Sequence, residues 1–423
     1  MSEWKEYKLG EIGDVITGKT PSLKNPEHWG ADMLFVTPTD FDAYNKNIYD
    51  SIRYLSKDGI SAFQKKILST DSVLVTCIGS QMGKVAVNKK ECVTNQQINS
   101  VVPYKEFNAD FIYYFLSSMQ DDLRNLATGG STMPILNKSS FENITISIPE
   151  LPAQIAIAEV LSSLDEKIEL NNAINKNLEA LAQSLFKRWF VDFEFPNEEG
   201  LSYKSSGGEL VESELGMIPK GWRPGTLGEL SQLKKESVKT FSKPDDIYLH
   251  FSIPEFDGGK IPSIDLGANI LSSKYRVFPH SVLVSKLNPR IPRIWPVIDC
   301  PINSVCSTEF QVINPNEEVC FSFIACLASS EKFISSLQSK ITGTSSSHQR
   351  VNPKDIIDHK MVIPDQENIH NFAELVYPLF KLMESCREEY LSLKSLRDTL
   401  LPKLISGELE VKEALAQTEI SSL

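Results

Sequence analysis

The sequence predicts an α+β protein in which two mixed α/β domains alternate with two long helices that pair as a coiled coil. Three observations predict this fold: the chain repeats itself once, each copy begins with short strand-like segments, and each copy ends in a long amphipathic pattern. A length of 423 residues leaves room for two or three domains of ordinary size.

The repeat consists of four segments that recur in the same order. Trp4–Ile12 returns as Trp222–Leu230, Ser72–Val75 as Ser281–Val284, Thr128–Gly129 as Thr342–Gly343, and Ile146–Pro149 as Met361–Pro364. The offsets of 218, 209, 214 and 215 residues differ only by small changes in loop length. Four matches in one order indicate that a single module has been duplicated.

Short strands and a long helix are predicted within each copy. In the first copy, runs rich in Val and Ile predict strands at 72–78, 84–87 and 144–148. From Ala153 onward, steps of alternately four and three residues meet mostly apolar side chains, and the same steps shifted by 215 residues predict the second helix. The residues expected to pair the helices are Leu161, Leu164, Ile168, Asn171, Asn175, Leu178, Leu379, Met383, Tyr390, Leu393 and Leu400.

The seam leaves some features of the helix pair open. Parallel and antiparallel pairing both bury the two apolar seams. Asn171 and Asn175 either fix the register of the pair or are tolerated in an ordinary core helix. Pro378, inside the second pattern, predicts a kink or a later start of that helix.

These patterns predict six segments. They assign residues 1–150 to the first globular domain, 151–196 to the first long helix, 197–221 to a linker rich in Glu, Ser and Gly, 222–364 to the second globular domain, 365–411 to the second long helix, and 412–423 to a tail. At about 1.5 Å per residue, helices of this length can separate two domains rather than merely join them.

The composition favours a soluble, cytoplasmic protein. Apolar residues make up 41% of the chain, no apolar run is long enough to span a membrane, and the N-terminus lacks the apolar core of a secretory signal. The seven cysteines show no C-x-x-C spacing and are expected to be reduced thiols. The net charge of −12 is uneven, because residues 206–364 are neutral in sum whereas residues 365–423 carry −5.

No signature of catalysis, of a cofactor or of a metal stands out. The sequence TGKT at 17–20 lacks the upstream glycine of a phosphate-binding loop, and the six histidines have no ligand spacing. The chain also lacks the Asn/Asp-Pro-Pro-aromatic tetrad with which an amino-methyltransferase would hold its target base. We therefore expect neither an enzyme nor a protein that binds a cofactor or a metal.

Polar and basic side chains instead concentrate in loops at matched places of the two copies. Asn and Gln can read adenine, Lys and Arg can read guanine, and Ser and Thr can hold phosphates, so these loops are candidate DNA contacts. In the first domain the candidates are Lys19, Thr20, Lys24, Asn25, Thr37, Thr39, Ser80, Gln81, Lys84, Asn95, Gln96, Gln97, Ser131 and Thr132. In the second domain they are Lys286, Asn288, Arg290, Arg293, Ser345, Ser346, His348, Gln349 and Arg350. A single loop of this kind is more often an ordinary solvated turn, but the recurrence at matched places favours DNA binding for the group.

The loops also resemble those of a known family. TGKTPS at 17–22, NPEHW at 25–29, FVTPTD at 35–40 and TNQQI at 94–98 look like a target recognition domain from the specificity subunit of type I restriction–modification enzymes. RWFVDF at 188–193 and LISGEL at 404–409 are similar to that family's helix endings. The second domain departs from the pattern, because STEFQ at 307–311 stands at the place of TNQQI and TPS has no counterpart.

The resemblance implies that each globular domain binds the major groove of one half of a split double-stranded DNA target, while the paired helices fix the spacing between the halves. It further implies that two methyltransferase subunits and the restriction–translocation subunits dock on the helices, and that this chain contributes no chemistry. Three alternatives remain: a stand-alone duplicated DNA-binding protein, a cytoplasmic scaffold whose domains bind proteins, and a hidden hydrolase or nuclease.

Overall fold

The computed structural model describes residues 4–22, 24–42, 46–127, 134–341 and 349–414. The chain divides into two compact units: unit 1 combines Met1–Leu170 with Tyr390–Leu423, and unit 2 is Asn171–Glu389. Each unit therefore contains the globular part of one copy of the repeat together with a piece of each long helix.

Unit 1 mixes short strands with short helices. Its described strands are β1 (Lys5–Lys8), β2 (Gly13–Thr17), β3 (Trp29–Val36), β4 (Asn47–Ile48), β5 (Arg53–Leu55), β6 (Val73–Thr76), β7 (Val85–Asn88), β8 (Cys92–Thr94), β9 (Ile98–Pro103) and β10 (Thr145–Ile148). Its described helices are α1 (Leu9–Ile12), α2 (Lys57–Ala62), α3 (Ala109–Ser118), α4 (Gln120–Asn125), α5 (Lys138–Glu142) and the first part of the long helix α6 (Leu151–Phe186).

Unit 2 has the same kind of composition. Its described strands are β11 (Leu210–Ser213), β12 (Gly216–Pro219), β13 (Arg223–Thr226), β14 (Ser231–Lys234), β15 (Ser237–Val238), β16 (Ile247–Phe251), β17 (Ser263–Leu266), β18 (Lys274–Arg276), β19 (Ser281–Ser285), β20 (Ile294–Val297), β21 (Ser304–Cys306), β22 (Phe310–Pro315) and β23 (Lys360–Ile363). Its described helices are α7 (Leu227–Leu230), α8 (Ile253–Asp257), α9 (Phe321–Ala328), α10 (Glu331–Ser339), α11 (Pro353–Ile357) and the first part of the long helix α12 (Gln366–Ile405).

The sheets of the two units share part of their strand order: β2-β9-β6-β7 corresponds to β14-β22-β19-β20, and β3-β8 corresponds to β16-β21. Unit 1 contains the sheets β2-β9-β6-β7-β4 and β5-β3-β8, and unit 2 contains β14-β22-β19-β20 and β15-β18-β21-β16-β17. In each unit the second sheet includes an equivalent parallel pair, β3 with β8 and β16 with β21. The α+β fold and its duplication, predicted from the repeat, are confirmed.

The central strands explain the apolar runs that recur in the sequence. All residues of β6 and β19 are buried, because each strand has a hydrogen-bonded neighbour on both sides and packed layers over both faces. In unit 1, α3 packs on β6 and β7, and in unit 2, α9 packs on β19 and β20. This packing buries Phe111 of α3 and Phe323 of α9 almost completely.

The two long helices run antiparallel. In unit 1, Leu161 near the start of α6 belongs to the same core as Leu404 near the end of α12. In unit 2, the ring centroids of Phe186 at the end of α6 and Phe372 near the start of α12 are 6.2 Å apart. Because the start of one helix meets the end of the other in each unit, the pairing direction that the seam left open is antiparallel.

Every residue that we expected in the helix seam is at least partly covered. Leu161, Leu164, Ile168, Asn171, Met383 and Leu400 are buried, and Asn175, Leu178, Leu379, Tyr390 and Leu393 are half-buried. The amide nitrogen of Asn171 donates to Glu389 Oε2 at 2.8 Å. The prediction of a later start at Pro378 is wrong: α12 begins at Gln366, because Phe372 and Val376 anchor its first turns in the core of unit 2.

A tryptophan packs at the start of each globular part. In unit 2, the Trp222 ring stacks on Phe195 with 4.8 Å between centroids, and its Nε1 donates to Asp365 at 2.9 Å. In unit 1, a Cβ placed on Gly407 would lie 2.8 Å from Trp4 Nε1, and Gly407 also has a φ of +74°. Glycine is therefore required at residue 407 both for conformation and for space.

Two further features complete the described chain. The segment 197–221 contains the antiparallel hairpin of β11 and β12. Within the described ranges no single helix is long and apolar enough to cross a membrane. Two helices joined by a bend, Glu318–Ala328 and Glu331–Ser339, together reach the length and apolar composition of a membrane span.

Candidate nucleic-acid interface

The polar loops of unit 1 meet at one edge of its larger sheet. Because neighbouring strands there run antiparallel, β2 and β6 end at the edge where β7 and β9 begin. The loops after β2, between β6 and β7, and before β9 therefore come together. At this edge Lys19, Ser80 and Gln96 are exposed, Thr20, Gln81, Lys84 and Gln97 are half-buried, and Asn95 is buried.

The loop after β2 is fastened to the loop before β9. The Lys19 N–H donates to the carbonyl of Thr94 at 2.9 Å. The hydroxyl of Thr20 donates to Gln96 Oε1 at 2.6 Å. A Cβ on Gly18 would lie 2.3 Å from the Thr94 carbonyl oxygen, so only glycine permits this close approach. The structure thus joins two loops that are far apart in the sequence.

The loop before β9 is held in shape by its own amides. The Asn95 amide nitrogen donates to Gln97 Oε1 at 2.9 Å, and Asn95 Oδ1 accepts from the Gln97 N–H at 3.0 Å. Asn95 is 8% exposed and therefore shapes the loop, whereas Gln96 between the two faces solvent. Of these three predicted residues, Gln96 is the one best placed to reach a base.

The loop between β6 and β7 turns on two glycines. Gly79 and Gly83 have φ angles of +88° and +86°, a conformation that other residues rarely adopt. At the end of β6, the Thr76 hydroxyl accepts from the Lys84 N–H at 3.0 Å and closes the loop. This geometry leaves Ser80 exposed at the tip.

The loop after β3 lies beside the same edge. The Asn95 N–H donates to the Val36 carbonyl at 3.1 Å, which brings the end of β3 next to the loop before β9. The N–H and hydroxyl of Thr37 both donate to Asp40 Oδ2, at 2.7 and 2.8 Å. Thr37 therefore closes a turn, while Thr39 is exposed and available for a ligand.

Lys24 and Asn25 form a separate turn. The Lys24 N–H donates to Ser22 Oγ at 3.2 Å, and the Asn25 N–H donates to the Ser22 carbonyl at 3.1 Å. Lys24 is exposed and Asn25 half-buried. Among the described residues the hydrogen bonds of these two are local, so they are not drawn into the loop cluster by contact.

Some predicted residues fall outside the described ranges. They are Ser131, Thr132, Ser345, Ser346 and His348. In unit 1, the Pro134 carbonyl accepts from the Gly79 N–H at 3.1 Å. In unit 2, the Gln349 carbonyl accepts from the Asn288 N–H at 2.9 Å. The described residues next to both predicted loops therefore join the same sheet edge in each unit.

The matching edge of unit 2 gathers the basic loop after β19. The Lys286 N–H donates to the Glu309 carbonyl at 2.9 Å, as the Cys77 N–H donates to the Gln97 carbonyl at 2.7 Å in unit 1. Lys286 is half-buried. Glu309 consequently occupies the position of Gln97, so STEFQ lies over residues 95–99, one residue later than TNQQI in the first copy.

Arginines at this edge are paired with acids that the sequence did not single out. Arg350 binds Glu309 through two hydrogen bonds, Nε to Oε2 at 3.2 Å and Nη2 to Oε1 at 2.9 Å. Arg293 binds Asp257 in the same way, at 2.7 and 2.8 Å, and its side chain is only 10% exposed. The hydrogen bond from Arg293 lowers the pKa of Asp257. By contrast, Arg290 is exposed.

The charge pairs divide the predicted basic residues into two groups. Arg293 and Arg350 are held by carboxylates and orient loops, whereas Arg290 is free to extend toward a phosphate or a guanine. Only Glu309 could have indicated the Arg350–Glu309 pair from the sequence, because STEFQ has an acid where the first copy has an amide.

Reactive thiols and metal clusters do not contribute to these edges. The seven cysteines, all within the described ranges, form no disulfide, and burial raises the pKa of Cys77 and Cys92 to about 12, which makes these two thiols poor nucleophiles. Across the described ranges, no group of three or more His, Cys, Asp or Glu could hold a metal ion.

Comparison with known proteins gives the family. The model of the type I restriction modification DNA specificity domain matches residues 1–180. The MjaIX specificity subunit of Methanocaldococcus jannaschii is 30% identical over 429 residues, which cover 97% of this chain and 94% of that protein. The chain belongs to the type I restriction–modification specificity subunits. The matching family model and this relative confirm the family that the sequence predicted. Specificity subunits of these systems are non-catalytic.

Other relatives agree with this specificity-subunit family. The HindI specificity subunit of Haemophilus influenzae is 34% identical over 188 residues, covering 44% of this chain and 40% of that protein. The solved S subunit of a type I restriction–modification system from M. genitalium has a TM-score of 0.60 at 16% identity, covering 95% of this chain and 96% of that one. That similarity shows a common fold along nearly the whole chain.

Proposed function

We propose that this specificity subunit binds a bipartite double-stranded DNA target, with the loop-bearing sheet edge of each unit reading one half-site. The observation that carries the proposal is that both units gather polar loops at the equivalent sheet edge. Such loops on a rigid sheet can present side chains to base edges and phosphates with little loss of conformational entropy on binding.

The side chains at the two edges support different half-sites. Unit 1 presents an exposed amide at Gln96 and an exposed ammonium at Lys19. Unit 2 presents the exposed guanidinium of Arg290 at the edge that also carries the Arg350–Glu309 pair. An amide favours adenine and a guanidinium favours guanine, so the two edges would select different bases.

The long helices supply the surface that we propose for the enzymatic partners. Leu170 and Leu181 on α6, and Leu375, Leu382 and Leu391 on α12, are about half exposed. Leu375 and Leu382, seven residues apart, lie on one face of α12, and exposed apolar side chains grouped on one helix face are typical of a protein-docking surface. We assign this surface to two methyltransferase subunits, with the restriction subunits joining the resulting complex.

The DNA-binding proposal is tested by changing one residue in each unit and measuring the base preference at each half-site separately. The chain is reconstituted with the methyltransferase subunit, and the methylated sites are mapped on genome-length DNA. Gln96→Ala is expected to relax one base of one half-site by about tenfold, because a good base contact contributes about 1–3 kcal/mol of discrimination. Arg290→Ala is expected to relax only the other half-site.

Lys90→Ala is the matched control. Lys90 is exposed in the turn between β7 and β8, at the opposite edge of the sheet, and its loss should leave both half-sites unchanged. If Gln96→Ala and Arg290→Ala methylate the same sites as the unmodified chain, the edges do not read DNA. If the affinity of the chain for DNA depends neither on DNA sequence nor on salt concentration, the scaffold alternative is favoured instead.

A further inference from the structure

A groove in unit 2 lies where α9 and α12 begin. Its volume is about 260 Å³, and it is lined in part by Val319, Ala373 and Ser322. Ser322 is 1% exposed, and its Oγ has no hydrogen-bond partner among the described residues. A buried hydroxyl without a partner costs free energy, so a ligand that bonds to it would gain affinity.

The lining of the groove is acidic. Glu318 and Glu374 both line it, with most of each carboxylate exposed. Each carboxylate has a histidine beside it: His280 lies 3.2 Å from Glu318, and His370 lies 3.3 Å from Glu374. Burial first, and then the charge of Glu318, raise the pKa of Tyr377 in the same groove. The groove therefore favours a positively charged ligand.

The equivalent site in unit 1 is filled by a lysine of the chain itself. Lys46 is 4% exposed, and its Nζ lies 2.9 Å from Asp110 Oδ1 and donates to Ser162 Oγ at 2.6 Å. The same ammonium lies 4.8 Å from the ring centroid of Tyr114. A buried ammonium between the starts of α3 and α6 is thus satisfied by a carboxylate, a hydroxyl and an aromatic face.

Three matched pairs place the two sites at the same position of the repeat. The pairs are Ser322 with Asp110, Tyr377 with Ser162, and His280 with Asp71. Their separations of 212, 215 and 209 residues agree with the offsets of the repeat. His280 and Asp71 also share a positive φ, of 53° and 59°, and lie one residue before β19 and two residues before β6.

One difference between the units lies in the strand at this edge of the larger sheet. Lys46 directly precedes β4, which pairs with β7 at the edge of the sheet. In the described part of unit 2, the corresponding sheet ends at β20. The segment that supplies the ammonium in unit 1 therefore has no described counterpart at the groove of unit 2.

We propose that this groove binds a lysine side chain of the methyltransferase subunit. This step rests on the proposed function, which assigns that partner to the helices. The ammonium donates to Ser322 Oγ and to Glu318 or Glu374, as Lys46 does to Ser162 and Asp110. Its aliphatic stem lies along the apolar lining of the groove. Unit 2 thereby receives from the partner a charge that unit 1 carries internally.

Zero-length cross-linking tests the contact. A water-soluble carbodiimide joins a carboxylate to an amine only where the two touch, and the joined peptides are identified by mass spectrometry of the reconstituted complex. We expect an amide between Glu318 or Glu374 and a methyltransferase lysine. The Lys220–Glu209 pair, exposed and 2.7 Å apart, serves as the internal control for the reaction.

Three outcomes would overturn the proposal. They are a control link without any link at Glu318 or Glu374, a link from these residues only to Lys381 of the same chain, and a link only to a second copy of the chain. Lys381 is a real competitor, because its Nζ lies 5.1 Å from the ring centroid of Tyr377. If the unmodified chain forms no complex at all, the proposed function fails instead.

Affinity gives a second test. The double variant Glu318→Gln with Glu374→Gln should bind the methyltransferase subunit about tenfold more weakly, because the ammonium loses its charged hydrogen-bond acceptors. Ser322→Asp, which copies Asp110 of unit 1, should bind at least as tightly as the unmodified chain. Glu367→Gln is the control, because Glu367 is an exposed acid on α12 outside the groove. Equal affinity of the double variant and this control would contradict the proposal.

Discussion

At the scale of single residues, His359 shows how burial decides the charge of a side chain. It is 4% exposed, its ring centroid lies 4.9 Å from that of Phe333, and its Nδ1 lies 3.3 Å from Ser336 Oγ. Burial first, and then the charges of Lys340 and Lys332, lower its pKa from 6.5 to about 4. The folded chain therefore keeps this imidazole neutral at pH values where the unfolded chain protonates it.

This shift predicts a loss of stability in mild acid. The contribution of His359 is fully present above pH 6.5 and is lost as the pH falls toward the folded-state pKa of about 4. The expected loss is about 3 kcal/mol in the free energy of unfolding. Urea denaturation at several pH values should show a smaller loss for His359→Gln, and equal losses in the two proteins would contradict the assignment.

At the scale of elements, one buried acid joins three helices of unit 1. Arg397 on α12 donates from Nη1 to Asp165 Oδ1 at 2.8 Å, and Tyr114 on α3 donates to Asp165 Oδ2 at 2.7 Å. The Asp165 side chain, on α6, is only 10% exposed. Burial and the charge of Asp165 raise the pKa of Tyr114, so the phenol stays a hydrogen-bond donor.

Breaking the Arg397–Asp165 pair should destabilise unit 1. Arg397→Met leaves the buried carboxylate of Asp165 without its cation, which is expected to cost about 3 kcal/mol. Adding Asp165→Asn should recover part of that loss, because no uncompensated charge remains. Denaturation of the two single variants and the double variant measures the coupling, and simple additivity would show that the pair is not linked.

The periodicity of apolar residues made the long helices predictable from the sequence, whereas the contacts between elements could not be predicted from it. The seam through Leu161 and Leu400 follows from local spacing and needs no knowledge of the fold. The Arg397–Asp165 pair joins residues 232 positions apart, and the Arg350–Glu309 pair joins residues 41 apart. Such pairs depend on how strands and helices pack, which residue types alone do not specify.

The candidate interface was predictable to a similar extent. Turn-forming glycines and amides marked the loops that carry Lys19 and Gln96, because those residue types favour turns wherever they lie. The hydrogen bond from Thr20 to Gln96 depends on the sheet order that places both loops at one edge. The residues that close turns, such as Thr37, could not be separated from those that face solvent before the structure gave their partners.

At the scale of the whole molecule, continuous helices predict control of target spacing. Four residues inserted between Leu170 and Asn171 and four between Glu389 and Tyr390 lengthen both helices where the chain passes from one unit to the other. Each insertion adds about 6 Å and a rotation about 40° beyond one turn. One base pair of DNA rises about 3.4 Å and turns by about 34°, so the accepted spacer should grow by about one to two base pairs.

The control for this experiment is an insertion that leaves both helices intact. Four residues placed in the turn between β11 and β12 lengthen the chain equally without changing α6 or α12. Mapping of methylated sites should give the original spacer for this control and a longer one for the helix insertions. An unchanged spacer in both would count against the role of the helices in spacing.

The contact between Trp4 and Gly407 has a consequence for synthesis of the chain. The core of unit 1 includes Leu400, Leu404 and Ala414, which leave the ribosome long after the strands that they cover. Unit 2 is one continuous stretch and can close its core first. A product terminated before residue 390 would hold every described loop of the first copy and still lack this part of its core, so we expect it to expose apolar surface and to be removed by proteases.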